Sequence, residues 1–421
     1  MRKVVELFAG VGGFRVGLNN VKIHKNKVVE LDDFKFVFFN QWEPNSKIQH
    51  AYNCYMSRFD EKFNINSNTD ISKINKNEIP DHDLLVGGFP CQDYSVARSL
   101  KNEEGIEGKK GVLWWEIYNT LKIKQPNFVL LENVDRLLIS PSKCRGRDFS
   151  IMLKCFDKLN YFVEWKVINA SDYGMPQKRK RLFIFACKKT TNYFNNEILP
   201  NIHNNNEFNF INNNKSFFSK YFKNKVIETA HLSSYLDKEI LEISDSNYSC
   251  TYYDSGIMIN SKINSFKTSA IFKGEKKKLS DVLINDSDVS KDLVISDLMI
   301  IDRFRYLKSS KKINRVSKDG HKYTYSEGKM DFPDNINKPS RTMLTSESSI
   351  NRSSHVVPYK SEYRYLSPVE CERLNMFPDN WTNLESIPKK IRYFLMGNAL
   401  VCGIIKKIRK ELIKAIDMEK N

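Results

Sequence analysis

The sequence lacks the features that mark membrane, secreted and metal-binding proteins. No apolar run approaches the roughly 20 residues that a bilayer-spanning helix requires, and the first six residues lead into a charged strand instead of a signal peptide. The eight cysteines are scattered, with no Cys-x-x-Cys pair and no histidine pair nearby, so the pattern indicates neither a zinc site nor a disulfide framework. We therefore expect a soluble, cytoplasmic protein with reduced thiols and no bound metal.

The chain carries a strong excess of positive charge. Its 421 residues include 67 Lys and Arg against 50 Asp and Glu, a formal net charge of +17. The length allows two or three domains with a large core. The charge favours nucleic acid over an acidic small molecule as the partner, because a basic surface attracts a polyanion.

Residues 83–98 are the stretch on which the predicted chemistry depends. An apolar run, Leu84 to Val86, ends in two glycines, and Pro90 then holds Cys91 in a stiff turn. Loops at the C-terminal ends of strands in open α/β sheets collect ligands and catalytic groups. Cys91 is therefore a candidate nucleophile, with a small buried hydrophobic residue as the alternative.

A glycine-rich turn follows the first strand, which is predicted at Val4 to Phe8. Gly10, Gly12 and Gly13 let the backbone approach a ligand, and the helix N-terminus behind them favours a negatively charged group. We predict a nucleotide-like cofactor here, with a structural turn as the alternative. The dinucleotide pattern G-x-G-x-x-G fits poorly, because Arg15 stands where its third glycine belongs, and this disfavours an oxidoreductase.

Acidic residues recur where predicted strands end. Glu43 follows the strand at 34–42, a position from which an acid commonly accepts hydrogen bonds from both ribose hydroxyls. Asp70 could accept a hydrogen bond from an adenine amino group, and Ile71 could cover the ring. A solvated loop acid is the alternative at each position alone, and the recurrence favours a site.

A further acid and a basic cluster extend this site. Glu132 ends the strand predicted at 127–133 and would lie beside the cysteine loop if the two strands are parallel neighbours. The alternation of Gln177, Arg179 and Arg181 places them on one face at the entrance to another strand. Other elements are predicted as strands at 162–169 and 181–187, and as helices at 46–59, 148–159, 367–377 and 401–420.

The composition changes at about residue 190. Residues 192–214 are rich in asparagine, and we expect no regular alternation of strands and helices before about residue 360. Basic and aromatic residues are interleaved over 302–329, a mixture that suits phosphate contacts with some stacking. The chain is therefore divided into 1–189, a second domain at 190–335, and a return segment at 336–421 whose last helix completes the first domain.

Six motifs in this order, near the expected spacings, resemble those of the cytosine-C5 DNA methyltransferases of bacterial restriction-modification systems. They are Phe8–Gly13, Gly87–Gln92, Glu132–Val134, Gln177–Arg181, Arg341–Thr342 and Gly397–Asn398. The resemblance implies an α/β fold, in which a Rossmann-like S-adenosylmethionine-dependent methyltransferase domain is joined to a second, smaller target-recognition domain at 190–335. It also implies that 1–189 is the catalytic and cofactor-binding domain.

The resemblance further implies that S-adenosylmethionine lies over the glycine turn and leaves as S-adenosylhomocysteine. Pro44 stands where many family members have a larger apolar side chain. The implied cofactor-binding residues are Phe8, Gly10, Gly12, Gly13, Glu43, Pro44, Asp70, Ile71, Pro90 and Asn398.

In the family's chemistry the target cytosine is flipped out of the duplex and the cysteine thiolate adds to its C6, which makes C5 nucleophilic. A carboxyl group at N3 and an arginine at O2 stabilise the charge that develops. The implied catalytic residues are Cys91, Glu132, Arg179 and Arg181. The implied DNA-binding residues are Gln92, Ser95, Gln177, Arg341, Arg303, Arg305, Lys311 and Lys312.

Two alternatives stay open. One is a tRNA cytosine-C5 methyltransferase of the same family, against which the long basic insert argues. The other is a catalytically inactive nucleic-acid-binding relative, against which the presence of Cys91, Glu132 and Arg181 argues. The favoured hypothesis is a monomer that modifies double-stranded DNA and protects it from a restriction endonuclease, without forming a physical complex with that enzyme.

Overall fold

A computed structural model shows two compact units. It describes residues 1–25, 27–32, 34–44, 46–59, 65–89, 113–141, 143–203, 206–232, 239–245, 249–316, 320 and 322–420. The first unit comprises Met1–Tyr173, Lys180–Gly274 and Cys402–Asn421. The second comprises Gly174–Arg179 and Glu275–Val401.

Strands occur in both units. They are β1 (Arg2–Leu7), β2 (Lys22–His24), β3 (Lys27–Val29), β4 (Phe34–Asn40), β5 (Leu84–Gly88), β6 (Phe128–Asn133), β7 (Tyr161–Asn169), β8 (Lys180–Lys188), β9 (Asn224–His231), β10 (Ser255–Ile259), β11 (Lys262–Ala270), β12 (Val294–Ile295), β13 (Lys311–Val316), β14 (Lys322–Glu327), β15 (Val356–Tyr359) and β16 (Glu362–Tyr365).

Helices connect these strands and end the chain. They are α1 (Gly13–Leu18), α2 (His50–Phe59), α3 (Leu113–Lys124), α4 (Arg147–Lys158), α5 (Leu199–Ile202), α6 (Glu207–Asn212), α7 (Ile240–Asp245), α8 (Leu298–Lys308), α9 (Pro368–Leu374), α10 (Lys389–Asn398) and α11 (Cys402–Met418). Among the described residues, no helix combines the length and the apolar character that crossing a membrane requires.

The first unit is built on one mixed sheet, which has nine strands in the part of the chain that the structure describes. Their order is β4-β1-β5-β6-β8-β7-β10-β11-β9. The first four strands in this order, β4, β1, β5 and β6, are parallel to one another. From β6 onward, each strand pairs antiparallel with the next one in the order. Leu84 to Val86 are fully buried, as expected for a parallel strand covered on both faces. The predicted α/β fold is confirmed.

Several predicted elements are confirmed with small changes at their ends. The helix predicted at 148–159 is α4, and the strand predicted at 162–169 is β7. The helix predicted at 367–377 is α9, where Ser367 and Glu370 cap each other's backbone N–H groups. The helix predicted at 46–59 begins later, at His50.

The asparagine-rich stretch is more regular than its composition predicted. It contains a π-helical turn at Phe194–Ile198 followed by α5 and α6, and the strands β9 to β11 come next. The expectation of no strand–helix alternation before about residue 360 is therefore wrong. Phe194, Ile198 and Ile202 recur every four residues and are buried, so a helical period was present among the asparagines.

The compact units divide the chain at other residues than the predicted domains. Residues 190–274 share the sheet of the first unit, because β10 pairs with β7 and β11 pairs with β9. Amino-acid composition gives no information about this main-chain pairing. The region in which DNA is recognised stays a prediction.

Helix α11 belongs to the first unit, where it packs against α1. A Cβ atom placed on Gly17 would lie 2.5 Å from the Cβ of Ile405. The two helices approach so closely because glycine has no side chain.

The second unit has a small apolar core and two small sheets. Ile295, Ile301, Phe304 and Val356 form this core. A three-stranded sheet has the order β12-β16-β15, and β13 pairs only with β14 among the described residues.

Candidate active site

The glycine turn at the end of β1 is open at Gly10. Phe8, Gly10 and Gly12 all have positive φ angles, of 55°, 57° and 86°. A Cβ atom on Gly10 would meet no atom within 4 Å, whereas one on Gly12, the N-cap residue of α1, would lie 2.7 Å from Phe59 Cε2. The turn is held by Gln41, a residue that follows β4, whose Oε1 accepts a hydrogen bond from the Gly10 N–H at 2.7 Å. A ligand can therefore approach the Gly10 backbone without displacing a side chain.

Glu43 lies just beyond β4, next to β1 in the sheet. Its backbone is held by Gln49, which accepts from the Glu43 N–H at 2.8 Å and donates to the Glu43 carbonyl at 2.9 Å. Burial raises the pKa of the Glu43 carboxyl above its ordinary value, an effect that His50 opposes. The carboxyl group is half-buried, and Pro44 beside it is exposed.

Asp70 and Ile71 have local structural roles. Asp70 caps the short helix Ile71–Lys73, because its Oδ1 accepts from the Ser72 N–H at 3.0 Å and the Ser72 hydroxyl at 2.9 Å. Ile71 is only 3% exposed and belongs to the main core of the first unit. Asp70 is therefore rigidly placed, while Ile71 offers little surface to a ligand.

Glu132 and Arg181 form an ion pair at the end of β6. Arg181 Nε lies 3.0 Å from Glu132 Oε1, with 19% of the arginine and 13% of the glutamate side chain exposed. Strands β5 and β6 are parallel neighbours with Gly88 opposite Glu132, so the condition on which the prediction about this carboxylate rests is met. The predicted neighbour, the cysteine loop, lies outside the described residues. A Cβ atom on Gly88 would lie 3.2 Å from Glu132 Oε2.

The residue that follows β5, Phe89, is hydrogen-bonded to the end of β6. Asn133 is buried and donates from Nδ2 to the Phe89 carbonyl at 3.1 Å. This bond fixes the backbone immediately before the predicted cysteine loop. Four predicted site residues in that loop lie outside the described residues: Pro90, Cys91, Gln92 and Ser95.

Gln177 and Arg179 are buried within the second unit. The Gln177 amide donates to Asn375 Oδ1 at 3.0 Å and accepts from the Met343 N–H at 3.0 Å. Arg179 donates to the carbonyls of Met343 at 3.0 Å and Gly397 at 2.8 Å. Burial alternates along this segment as predicted, since Lys178 and Lys180 are exposed. Both buried side chains stabilise the unit, and their predicted contacts with DNA or the reacting base stay predictions.

Known proteins resemble this chain over nearly its whole length. The sequence profile of the family described as C-5 cytosine-specific DNA methylase matches residues 2–414. The Type II methyltransferase M.Sau3AI of Staphylococcus aureus is 48% identical over 98% of this chain and 95% of its own length.

The chain belongs to the C-5 cytosine-specific DNA methylase family.

Two more distant comparisons extend over nearly the whole chain. The orphan methyltransferase M.SPRI of Bacillus phage SPR is 27% identical to this methylase over 98% of the chain and 97% of its own length. A solved DNMT2 structure from Spodoptera frugiperda has a TM-score of 0.57 at 15% identity, covering 99% of this chain and all of the other. The latter supports the fold alone.

The methylase family and its fold imply a methyl donor of the S-adenosylmethionine type. The described residues fit such a group, because the open Gly10 backbone and the half-buried Glu43 carboxyl stand at the ends of adjacent strands. Within the described part of the chain, no group of three or more His, Cys, Asp or Glu could hold a metal ion.

Arg341 is bound inside the second unit of the methylase. Its Nε donates to Asp334 Oδ1 at 2.8 Å, and its Nη1 donates to the Ser353 carbonyl at 3.1 Å. Asp334 also receives Lys308 Nζ at 2.6 Å. Asn398 is the exposed last residue of α10.

A Ser–His–Glu arrangement lies next to Arg341. Ser340 Oγ is 2.9 Å from His355 Nε2, and His355 Nδ1 is 3.0 Å from Glu347 Oε1. The spacing is that of a hydrolase triad. All three side chains are buried, at 2%, 0% and 2% exposure, so no substrate can reach them and they serve the fold.

The predicted DNA-binding residues of 303–312 differ in their surroundings. Arg303, Arg305 and Lys312 are exposed, and Arg305 pairs with Asp302 at 2.9 Å. Lys311 is half-buried, with Nζ 4.1 Å from the centre of the Tyr306 ring. Lys311 therefore has a partner within the chain.

Two residues that position the site were missed in the sequence. Gln41 holds the glycine turn, and Asn133 holds the chain before the cysteine loop. Asn133 belongs to the Glu132–Val134 motif, which offered a signal. The sequence gives no signal for Gln41, because its partner is the backbone N–H of Gly10, which follows a different strand.

Proposed function

We propose that this protein transfers a methyl group from S-adenosylmethionine to C5 of a cytosine in a short, specific duplex DNA sequence. The enzyme class is DNA (cytosine-5-)-methyltransferase. The modification protects DNA from a cognate restriction endonuclease, with which the enzyme, a monomer, forms no stable complex. The observation that carries the proposal is the Glu132–Arg181 pair beside the strand that leads to Cys91, in a chain that matches the family over residues 2–414.

Residues at the strand ends of the first unit would bind the cofactor. Gly10 would present its open backbone, Gly12 would let the chain turn into α1, and Glu43 would accept from the ribose hydroxyls. When bound, S-adenosylmethionine supplies an electrophilic methyl group on a sulfonium. The other proposed cofactor residues are Phe8, Gly13, Pro44, Asp70, Ile71, Pro90 and Asn398.

Cys91 is the proposed nucleophile. Its thiolate forms a bond to C6 of the flipped cytosine, and the C5–C6 π electrons become available at C5. After C5 is methylated, loss of the C5 proton restores the double bond and breaks the S–C6 bond. The thiolate is regenerated, so one cysteine serves many turnovers.

Glu132 and Arg181 stabilise the charge that cysteine addition places on the ring. The Glu132 carboxyl holds a proton at N3, and the Arg181 guanidinium donates to O2. Their 3.0 Å contact supports both roles, because each side chain fixes the orientation of the other before the base arrives.

Duplex DNA is favoured over tRNA as the substrate. The relative that is 48% identical over 98% of the chain is named a Type II methyltransferase, and the matching family is one of DNA methylases. The similarity to a DNMT2 structure, at 15% identity, carries no information on substrate.

The test compares the wild type with Cys91→Ser and Cys144→Ser. Cys144 is a half-buried cysteine of the first unit with no assigned role, which makes it a matched control. We expect bisulfite sequencing to show C5 methylation of duplex DNA by the wild type and by Cys144→Ser. Cys91→Ser should lose more than about a thousandfold in rate and still bind DNA.

Two results would contradict the proposal. Methylation of tRNA but not of duplex DNA would identify a different substrate. Normal turnover by Cys91→Ser would remove this cysteine from the mechanism.

A further inference from the structure

The β13–β14 hairpin of the second unit is exposed on both of its faces. The two strands are paired over six residues each, from Lys311 opposite Glu327 to Val316 opposite Lys322. Every side chain of the two strands is exposed or half-exposed. A two-stranded ribbon with no covered face is marginally stable in water, so this one needs an anchor and leaves surface for a partner.

The strand register divides the hairpin into two faces. The anchored face consists of the pairs Lys311–Glu327, Ile313–Tyr325 and Arg315–Tyr323. The free face consists of the pairs Lys312–Ser326, Asn314–Thr324 and Val316–Lys322.

The anchored face uses its charged groups within the protein. Lys311 Nζ lies 4.1 Å from the Tyr306 ring centre, and the Arg315 guanidinium lies 4.1 Å from the ring centre of Tyr325. The Tyr325 hydroxyl donates to Glu327 at 2.8 Å. These groups are already occupied, so they are poorly suited to bind a partner.

Arg352 fixes the base of the hairpin at both ends. Its Nη1 donates to the carbonyls of Leu307 at 2.6 Å and Ser309 at 3.0 Å, just before β13. Its Nη2 donates to the Gly328 carbonyl, just after β14, and Nη1 is 3.3 Å from Glu327 Oε2. The hairpin therefore projects from a fixed base.

All six side chains of the free face are exposed. This face carries two lysines, three side chains that form neutral hydrogen bonds, and one apolar side chain, but no carboxylate. A protein interface would need a larger apolar or aromatic core. Positive charge combined with hydrogen-bonding groups suits nucleic acid instead.

We propose that the free face enters the major groove of duplex DNA and reads the bases of the recognition sequence, an inference that rests on the proposed function. The major groove admits a two-stranded ribbon. Side chains on one face of a strand repeat every ~6.8 Å, which matches about two base steps. Three such side chains span about 14 Å, or about four base steps, so the face fits a short site.

Asn314 is the central base-reading residue of this surface. Its Oδ1 accepts from the Thr324 hydroxyl at 3.0 Å, a cross-strand bond that orients the amide. Oδ1 keeps a second lone pair and Nδ2 keeps its hydrogens, so the amide can pair with N6 and N7 of adenine. Lys312 and Lys322 would contact phosphates, and Val316 would contact a thymine methyl group.

The experiment uses the full-length protein and a pool of duplexes with randomised bases around a cytosine. Methylated products are identified by bisulfite sequencing for the wild type, Asn314→Ala, Lys312→Ala and Lys311→Ala. Lys360→Ala is the matched control, since Lys360 is an exposed lysine in the turn of another hairpin of the same unit. Thermal unfolding of each variant checks that it is folded.

We expect Asn314→Ala to lose discrimination on the order of 10- to 100-fold at one position of the site and little elsewhere. Lys312→Ala should weaken binding to all sequences alike and reduce the slope of log affinity against log salt by about 1. Lys360→Ala should leave the sequence preference and the salt slope unchanged.

An unchanged sequence preference in folded, active Asn314→Ala would overturn the assignment of Asn314. An equal salt slope for Lys312→Ala, Lys311→Ala and the wild type would overturn the assignment of the free face. Failure of the wild type to methylate any duplex would instead contradict the proposed function, so the two failures can be distinguished.

Discussion

Two pairs of strands in this protein have very different surroundings. In β5 and β6 the central apolar residues are completely buried, and Glu132 is 13% exposed at the end of a covered strand. In β13 and β14 no residue is buried. This difference fits the proposed roles, in which Glu132 must meet the same atoms in every reaction and the hairpin must meet the surface of a partner.

The two pairs also differ in how their polar side chains are satisfied. Glu132 has Arg181 as a partner within its own unit, so its orientation does not depend on a ligand. Asn314 has one hydrogen bond to Thr324 on a solvent-exposed face. Substitutions near β6 should therefore change rate, and substitutions on the hairpin should change affinity and sequence preference.

The largest effect that would test this comparison is expected from Glu132→Gln. Glutamine retains an oxygen for Arg181 but cannot hold a proton for N3, so methylation at neutral pH should fall by about 10²- to 10⁴-fold. DNA binding, measured by competition, should stay unchanged. Glu78→Gln, at an exposed position of the same unit, is the control.

A rate for Glu132→Gln equal to that of the wild type would remove this carboxyl group from the mechanism. Weaker DNA binding in this variant would show that Glu132 also contributes to affinity, so rate and affinity would not be separated between β6 and the hairpin.

A smaller effect, on the pH dependence of stability, is expected from Glu6, a buried residue of β1. Burial raises the pKa of Glu6 from 4.5 to about 8, against the opposing effects of Tyr55, Arg15 and the Phe14 N–H, while Glu30 adds to the rise. The folded protein therefore binds a proton that the unfolded chain releases between these values. Its contribution to stability is complete below about pH 4.5 and is lost as the pH rises through about 8.

Glu6→Gln should remove this dependence. Denaturant unfolding at several pH values should show the wild-type free energy of unfolding falling by up to about 1.4 kcal/mol more per pH unit than that of the variant. The difference isolates Glu6 from other titrating groups, such as Glu164, whose pKa burial also raises, to about 7. Parallel curves for the two proteins would show that Glu6 is ionised in the folded state.

Much of the first unit could be predicted from the sequence because its signals are local. The run Leu84 to Val86 ends in glycines and shows a strand end, and the short spacing of Gly10, Gly12 and Gly13 shows a turn before a helix. Parallel strands place their C-terminal ends at one edge, so the position of Glu132 beside the end of β5 followed from strand order alone.

The second unit was less predictable because its contacts join distant segments. The sequence places Gln177 and Arg179 on one face at the predicted site, and segments around Met343 and Gly397 bury both side chains. Nothing in the local sequence distinguishes Lys311, which has an internal partner, from Lys312, which has none among the described contacts. The distinction comes from the pairing register, which sets the face of every side chain.

The smallest effect is expected at the base of the hairpin, from Arg352→Ala. The variant loses hydrogen bonds to the carbonyls of Leu307, Ser309 and Gly328, which bracket β13 and β14. Amide hydrogen exchange in the two strands should accelerate by about tenfold, since a bond from a charged donor contributes on the order of 1.5–3 kcal/mol. Arg352→Lys should have an intermediate effect, because lysine lacks the planar fork.

Lys329→Ala removes an exposed charge next to β14 and should leave the exchange rates as they are. If the free face reads DNA, Arg352→Ala should also need more DNA for half-maximal rate and keep its rate at saturating DNA. A lower saturating rate would mean that the hairpin takes part in the chemistry, and the contrast between a fixed reaction centre and a separate reading surface would fail. Unchanged exchange would mean that Arg352 does not hold the hairpin in place.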